Sequence, residues 1–113
     1  GNLCRDNGYA NIHISPYNCV SGNISEITDQ GDVQETHTGI NVAGAGSSVT
    51  GNTVINTIAS GYLSGQSTIK LGSFAKNCVV TGNSIMGKDV TDENTDTANK
   101  NLKANNKWKG DQA

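Results

Sequence analysis

A four-residue word, Val-Ser/Thr-Gly-Asn, occurs three times in this sequence and restricts its possible folds more than any other feature. The copies occupy residues 20–23, 49–52 and 80–83, so their asparagines stand 29 and 31 positions apart. A repeat of this length is too small to bury its own apolar face and must stack on its neighbours. Unrelated Gly-Asn hairpin turns would not place Val-Ser/Thr before every copy. The sequence therefore predicts a stacked repeat structure.

Two further apolar runs accompany each copy of the word. An alternating run precedes it, at residues 12–14, 40–42 and 69–71, and a second run follows it, at residues 24–27, 53–55 and 84–86. Short runs of this kind between turn residues are typical of β-strands. Three strands per repeat predict an all-β, single-stranded parallel β-helix with about three full coils plus partial terminal coils. One of its apolar layers is expected to consist of Ile12, Ile14, Val20 and Ile24.

The repeated asparagines are expected to form a structural ladder. Aligned residues of successive coils lie about 4.8 Å apart, so Asn23, Asn52 and Asn83 would stack with each amide bonding the coils above and below. Asn also tolerates the left-handed backbone that a sharp turn requires. The first three residues, Gly-Asn-Leu, fit the end of an earlier copy. Residues 102–105, Leu-Lys-Ala-Asn, repeat the spacing of 80–83, which places Asn105 in the ladder and Trp108 near a third strand.

The distribution of charge separates the chain into two predicted domains. Residues 37–68 contain no Asp, Glu, Lys or Arg, whereas Lys and Asp crowd the C-terminal part. We predict parallel β-helix coils over residues 1–87 and a polar tail with a degenerate capping coil over residues 88–113. The net charge of −2 provides neither a basic field for nucleic acid nor a polybasic membrane patch. We therefore expect no nucleic-acid partner and no membrane partner.

Cysteine usage and the position of the first residue give two further expectations. Three cysteines without CxxC spacing predict neither a disulfide framework nor a zinc site. The sequence starts without Met and inside a repeat, so we expect the C-terminal part of a longer solenoid. Its missing partner would be upstream coils of the same protein or a second chain, because an open solenoid end leaves strand edges unpaired.

Residues 39–42, Gly-Ile-Asn-Val, and 48–54, Ser-Val-Thr-Gly-Asn-Thr-Val, resemble the repeat of right-handed parallel β-helices of the pectate-lyase-like superfamily. Bacteriophage tailspikes and other polysaccharide-acting proteins share this repeat, and the resemblance covers residues 1–87. It implies a right-handed coil, a polysaccharide partner, a homotrimer, and a location outside the cell or on a virion surface. It also implies a depolymerase, either a glycoside hydrolase or a polysaccharide lyase, in the full-length protein. Strands 12–14, 40–42 and 69–71 would form the first sheet, whose outer face holds carbohydrate in many members.

The alternation of side chains along the strands predicts a polar column on this first sheet. If Ile12 and Ile14 point inward, His13 points outward, and the same argument exposes Asn41 and Lys70. Such a column could bind sugar hydroxyls and carboxylates, with His13 as a candidate catalytic proton-transfer group. His37 and Tyr62, near predicted corners, complete the candidate substrate-binding set with Asn41 and Lys70. The alternative is that these are solvated residues of an outer face.

The corner at residues 26–37 is the densest acidic region outside the tail. Asp29, Asp32 and Glu35 are candidates for the two carboxylates, about 5 to 9 Å apart, that a glycosidase requires. A lyase would instead use Asp29 and Asp32 with Lys70 to neutralise a uronate, and calcium could assist it, although no EF-hand-like spacing is present. Otherwise no cofactor and no metal site are expected. Solvated loop acids, a non-catalytic carbohydrate-binding or adhesin module and a structural spacer remain alternatives.

Overall fold

Short β-strands build this protein, and their bounds follow the repeat. The computed structural model describes residues 1–5, 7, 10–28, 38–56 and 67–108. The strands are β1 Leu3–Arg5, β2 Ala10–Ile14, β3 Cys19–Ser21, β4 Ile24–Ile27, β5 Thr38–Val42, β6 Ser48–Thr50, β7 Thr53–Asn56, β8 Ser67–Leu71, β9 Val79–Thr81, β10 Ser84–Met86, β11 Thr91–Asp92, β12 Leu102–Ala104 and β13 Lys107–Trp108. No helix occurs among the described residues. The all-β prediction is confirmed.

Each strand from β1 to β10 pairs in parallel with the strand three places later in the chain. The first sheet has the order β11-β8-β5-β2, the second sheet β12-β9-β6-β3, and the third sheet β1-β4-β7-β10-β13. Consecutive strands therefore belong to different sheets, and the chain returns to the same sheet after each repeat. This is the arrangement of a β-helix-like solenoid, as the repeated word predicts.

The core consists of apolar columns that run along the stack. Ile40, Val49 and Val54, one from each sheet, are completely buried. Strand pairing places Ile40 between Ile12 and Ile69, so isoleucines of three successive coils stack on one another. Complete burial of such a side chain contributes about 1.5–3 kcal/mol relative to exposure. The repeat thus supplies one continuous core that no single coil could form.

The third sheet corrects the expected position of Ile24. Its side chain is 43% exposed, whereas Ser25 and Ile27 are completely buried. Because successive side chains of a strand point to opposite faces, Ile24 and Ile27 cannot both face the core. Ser25 is accommodated inside because its hydroxyl donates a hydrogen bond to the Gly39 carbonyl at 3.0 Å.

Asparagine side chains connect the turns between the second and third sheets. The backbone N–H and Nδ2 of Asn23 both donate to Asn52 Oδ1, at 3.0 and 3.2 Å. Asn52 donates in the same way to Asn83 Oδ1, at 2.9 and 3.0 Å. The pattern extends to Asn2, which donates to Asn23 Oδ1, and to Asn106, whose Oδ1 accepts from Asn83. The ladder therefore has five rungs in the described residues.

The ladder amides that follow Asn2 also connect back to strands of the second sheet. Asn52 Nδ2 donates to the Val20 carbonyl at 3.0 Å, and Asn83 Nδ2 donates to the Val49 carbonyl at 2.9 Å. The left-handed backbone expected at these asparagines falls instead on the preceding residue, as at Gly51 with φ 65°. The glycine is needed because a side chain strains that conformation, and the asparagine is needed for its amide.

The register of the tail differs by one residue from the sequence prediction. Leu102 pairs with Val79 and Lys103 with Val80, so Asn106, and not Asn105, occupies the ladder. Asn105 takes the turn position, with φ 57°, because asparagine tolerates the left-handed region better than other side chains. A one-residue shift exchanges the two faces of a strand, and Leu102 is accordingly 56% exposed. Trp108 pairs with Ile85 on the third sheet, as expected.

The ladder predicts that replacing an asparagine lowers the free energy of unfolding by an amount that depends on its position in the ladder. Asn52→Ala removes a buried amide and leaves the Asn23 N–H and the Val20 carbonyl without their partners, so we expect a loss of about 2–4 kcal/mol in the free energy of unfolding. Asn2→Ala is the matched control, because Asn2 is exposed and, within the described residues, its side chain donates only to Asn23 Oδ1; its cost should stay below about 1 kcal/mol. Urea unfolding measures both. Equal losses would contradict a cooperative ladder.

Candidate functional site

The three polar residues predicted on the first sheet occupy successive rungs of one column. His13 pairs with Asn41, and Asn41 pairs with Lys70. Asn41 Nδ2 donates to His13 Nδ1 at 2.9 Å, so Nδ1 of the neutral imidazole is an acceptor and its proton lies on Nε2. His13 is exposed. It thus presents a hydrogen-bond donor, and not a free basic nitrogen, to a ligand.

The expected exposure of Asn41 is wrong, since this side chain is only 5% exposed. Its position between Ile40 and Val42 still directs it away from the core. Neighbouring rungs flank it on both sides, with His13 hydrogen-bonded on one side and Lys70 paired on the other. Alternation in the sequence predicts the direction of a side chain but not how closely its stacked neighbours cover it.

Lys70 forms an ion pair that the sequence analysis missed. Its Nζ lies 3.7 Å from Glu93 Oε1, and the two side chains are 23% and 49% exposed. Glu93 directly follows β11, and its backbone N–H donates to the Leu71 carbonyl at 2.9 Å, which fixes it beside the next rung. The pairing of Thr91 with Lys70 could have indicated this neighbour. The low similarity of the tail to the repeat concealed that pairing.

Phe74 adds an exposed aromatic ring beside the column. It lies in a turn closed by a hydrogen bond of 3.0 Å from Ala75 N–H to the Gly72 carbonyl. The ring is 75% exposed although large apolar side chains usually gain free energy from burial. With His13, Asn41, Lys70 and Glu93 it lines an open depression of about 260 Å³. We call this depression the first-sheet groove.

A second exposed aromatic residue, Tyr17, has a structural explanation. It is 81% exposed, has φ 60°, and lies in the turn after Pro16. Its ring covers Gly46 of the next rung, where a Cβ would lie only 2.6 Å from Tyr17 Cδ1. Tyr17 thus covers a corner, as is common for a residue next to a turn. Among these two aromatics, only Phe74 belongs to the lining of the groove.

The remaining predicted site residues are Asp29, Asp32, Glu35, His37 and Tyr62, and they lie outside the described residues. The carboxylate pair of a glycosidase and the acidic group of a lyase thus stay predictions. The described part of the chain brings together His13, Asn41 and Lys70, and it adds Phe74 and Glu93 to them.

Asp92 and Asp96 of the tail have hydrogen-bond partners within the protein. Burial raises the pKa of Asp92, but hydrogen bonds from Lys103, Asn94 and Asn101 outweigh it and lower that pKa overall. Lys103 Nζ lies 2.9 Å from Asp92 Oδ2. Within the described ranges, no three or more His, Cys, Asp or Glu side chains form a group that could hold a metal ion. Asp92 is therefore held within the tail by Lys103, Asn94 and Asn101.

Comparison with known proteins gives no match, neither to a protein-family model nor to a curated protein nor to a solved structure. In the described ranges no helix is both long and apolar enough to cross a membrane. The groove and its chemistry therefore carry the functional argument.

The tail network predicts the titration of Asp96. A hydrogen bond from Asn99, together with Lys76 and the Ala98 N–H, lowers the pKa of Asp96 from 3.8 to about 2. A lowered pKa in the folded state means that this carboxylate stabilises the fold above about pH 3.8, and that its contribution is lost as the pH falls through about 2. An NMR titration should find the midpoint near 2.

Asn99→Ala should raise the Asp96 midpoint toward 3.8, because it removes the largest cause of the lowering. Asn18→Ala, at an exposed turn near Ser15, is the control and should leave the midpoint unchanged. A wild-type midpoint near 3.8 would contradict the observed network.

Proposed function

We propose that this chain belongs to a right-handed parallel β-helix of the polysaccharide-acting kind, with about three full coils plus partial terminal coils, and that its first-sheet groove binds a polysaccharide. The observation that carries the proposal is the exposed ring of Phe74 beside a line of polar side chains in one open depression. An exposed aromatic ring next to convergent polar groups is typical of ligand sites.

The groove offers both kinds of contact that a pyranose ring needs. A sugar has an apolar face of C–H groups, which can pack against the Phe74 ring, and a rim of hydroxyl groups. His13 Nε2–H and Lys70 Nζ are donors for that rim, while the Glu93 carboxylate is an acceptor. These groups point to carbohydrate more directly than to an apolar ligand, which would gain nothing from the polar side chains.

The geometry of the stack suits a polymer in particular. Successive coils lie about 4.8 Å apart, which is close to the length of one sugar unit. His13 and Lys70 stand two coils apart, so both could contact one sugar chain that runs along the column, while Asn41 between them is covered. The groove is open to solvent, and a polymer can therefore enter from the side without threading an end. A groove between stacked coils thus provides a repeated site for a repeated ligand.

Binding is the part of this proposal that the described residues support. Cleavage by a tailspike-like depolymerase would rely on Asp29, Asp32 or Glu35, and His13, with Nδ1 engaged by Asn41, is better suited to donate a hydrogen bond than to accept a proton. Polysaccharide cleavage and a location outside the cell or on a virion surface remain expectations from the resemblance.

Replacement of Phe74 tests the proposal. We expect the protein to bind members of an array of neutral and acidic polysaccharides, and Phe74→Ala to weaken the tightest interaction at least about tenfold, because the sugar loses its aromatic platform. Leu102→Ala is the matched control: it removes an exposed apolar side chain from the second sheet, outside the groove. Isothermal titration calorimetry measures the three affinities. Equal affinities for all three proteins would rule out the groove as the binding site.

A further inference from the structure

We infer that the first-sheet groove selects uncharged polysaccharides and that Glu93 is the residue that disfavours uronic acids. The inference rests on the proposed polysaccharide binding and assigns its substrate class. It starts from the ion pair between Lys70 and Glu93, which share the groove with Phe74.

The charges that line the groove cancel. In the described part of its lining, Lys70 and Glu93 carry the only formal charges when His13 is neutral. Among the described residues that line the groove, Lys70 is the one cation that could bind a carboxylate of a sugar, and its Nζ already lies 3.7 Å from Glu93 Oε1. A uronate would therefore have to displace a carboxylate that belongs to the protein. A neutral sugar does not compete for this ion pair.

The backbone holds Glu93 where it opposes a second carboxylate. Its N–H donates to the Leu71 carbonyl, so the residue is anchored next to the rung of Lys70 and is not at the end of a free loop. Its side chain is about half exposed and faces the same depression. A uronate close to Lys70 would place two like charges near each other, an arrangement that binding sites use to reject wrong ligands.

The charges of Lys76 and Asp96, near Phe74, do not change the net charge of the groove. Lys76 Nζ lies 3.1 Å from Asp96 Oδ2, so these two residues neutralise each other in the segment that follows Phe74. His13 accepts a hydrogen bond from Asn41 at Nδ1 and adds no formal charge in that arrangement. The described lining of the groove therefore has one cation and one anion, and no net formal charge to attract a polyanion.

The experiment compares affinities for a matched pair of polymers, polygalacturonate and its fully methyl-esterified form, and for the neutral and uronate-bearing members of a glycan array. The readout is the ratio of uronate affinity to neutral affinity. We expect the wild-type ratio to be about one tenth or lower, and Glu93→Gln to raise it about tenfold, because Lys70 becomes available to the carboxylate.

Two further variants complete the design. Lys70→Met leaves Glu93 without its cation and should lower the ratio further, which tests the same ion pair through a second substitution. Glu26→Gln is the control, because Glu26 forms its ion pair with Arg5 at 3.0 Å on the third sheet, outside the groove; it should leave the ratio unchanged.

The outcomes separate this inference from the proposed function. A wild-type preference for uronates, or an unchanged ratio in Glu93→Gln, overturns the inference and leaves polysaccharide binding in place. Binding to no glycan of the array overturns both. A ratio that rises in Glu93→Gln and falls in Lys70→Met supports both.

Discussion

The hydrogen bond from one asparagine to the Oδ1 of the asparagine in the next coil is the interaction on which the rest of this structure depends. Each internal ladder residue, such as Asn52, accepts two hydrogen bonds through Oδ1 and donates through Nδ2 both along the ladder and to a strand carbonyl. Short parallel strands of two to five residues have few hydrogen bonds of their own with which to fix their alignment. A side-chain ladder supplies that alignment once per coil.

The alignment of the coils determines what the outer surface can do. A shift of one residue between neighbouring strands would exchange inward and outward side chains, and the column of His13, Asn41 and Lys70 would be lost. With the register fixed, the imidazole and the amide bond each other, and Lys70 meets Glu93. The first-sheet groove is therefore a consequence of stacking, because its residues are far apart in the sequence and come from successive coils.

The sequence predicts those parts of the structure in which the local constraints on each residue agree. The word at 49–52 combines a core valine, a glycine for the left-handed turn and a ladder amide, so three constraints agree and strand positions follow from it. The word fails in the tail, where no glycine marks the turn and two asparagines follow each other. Asn105 takes the left-handed position and Asn106 the ladder position. Ile24 shows the same ambiguity, because two isoleucines of one strand compete for the core.

The groove was only partly predictable for a related reason. Period-two alternation gives the column, since the direction of each side chain follows from the strand alone. The burial of Asn41, the ion pair of Glu93 and the place of Phe74 depend on contacts between coils. Such contacts require the register of the tail and the path of the turn after β8. Neither is encoded by a local pattern.

Native-state hydrogen exchange tests the central claim most directly, because the ladder involves backbone N–H groups that can be followed one by one. The amides of Asn23, Asn52 and Asn83 donate to the Oδ1 of the next coil, although they lie in turns. If the ladder holds the coils in register, these amides exchange as slowly as the Val54 amide of the core and in the same cooperative unit. Rapid exchange at the three asparagines, with Val54 still protected, would contradict the account.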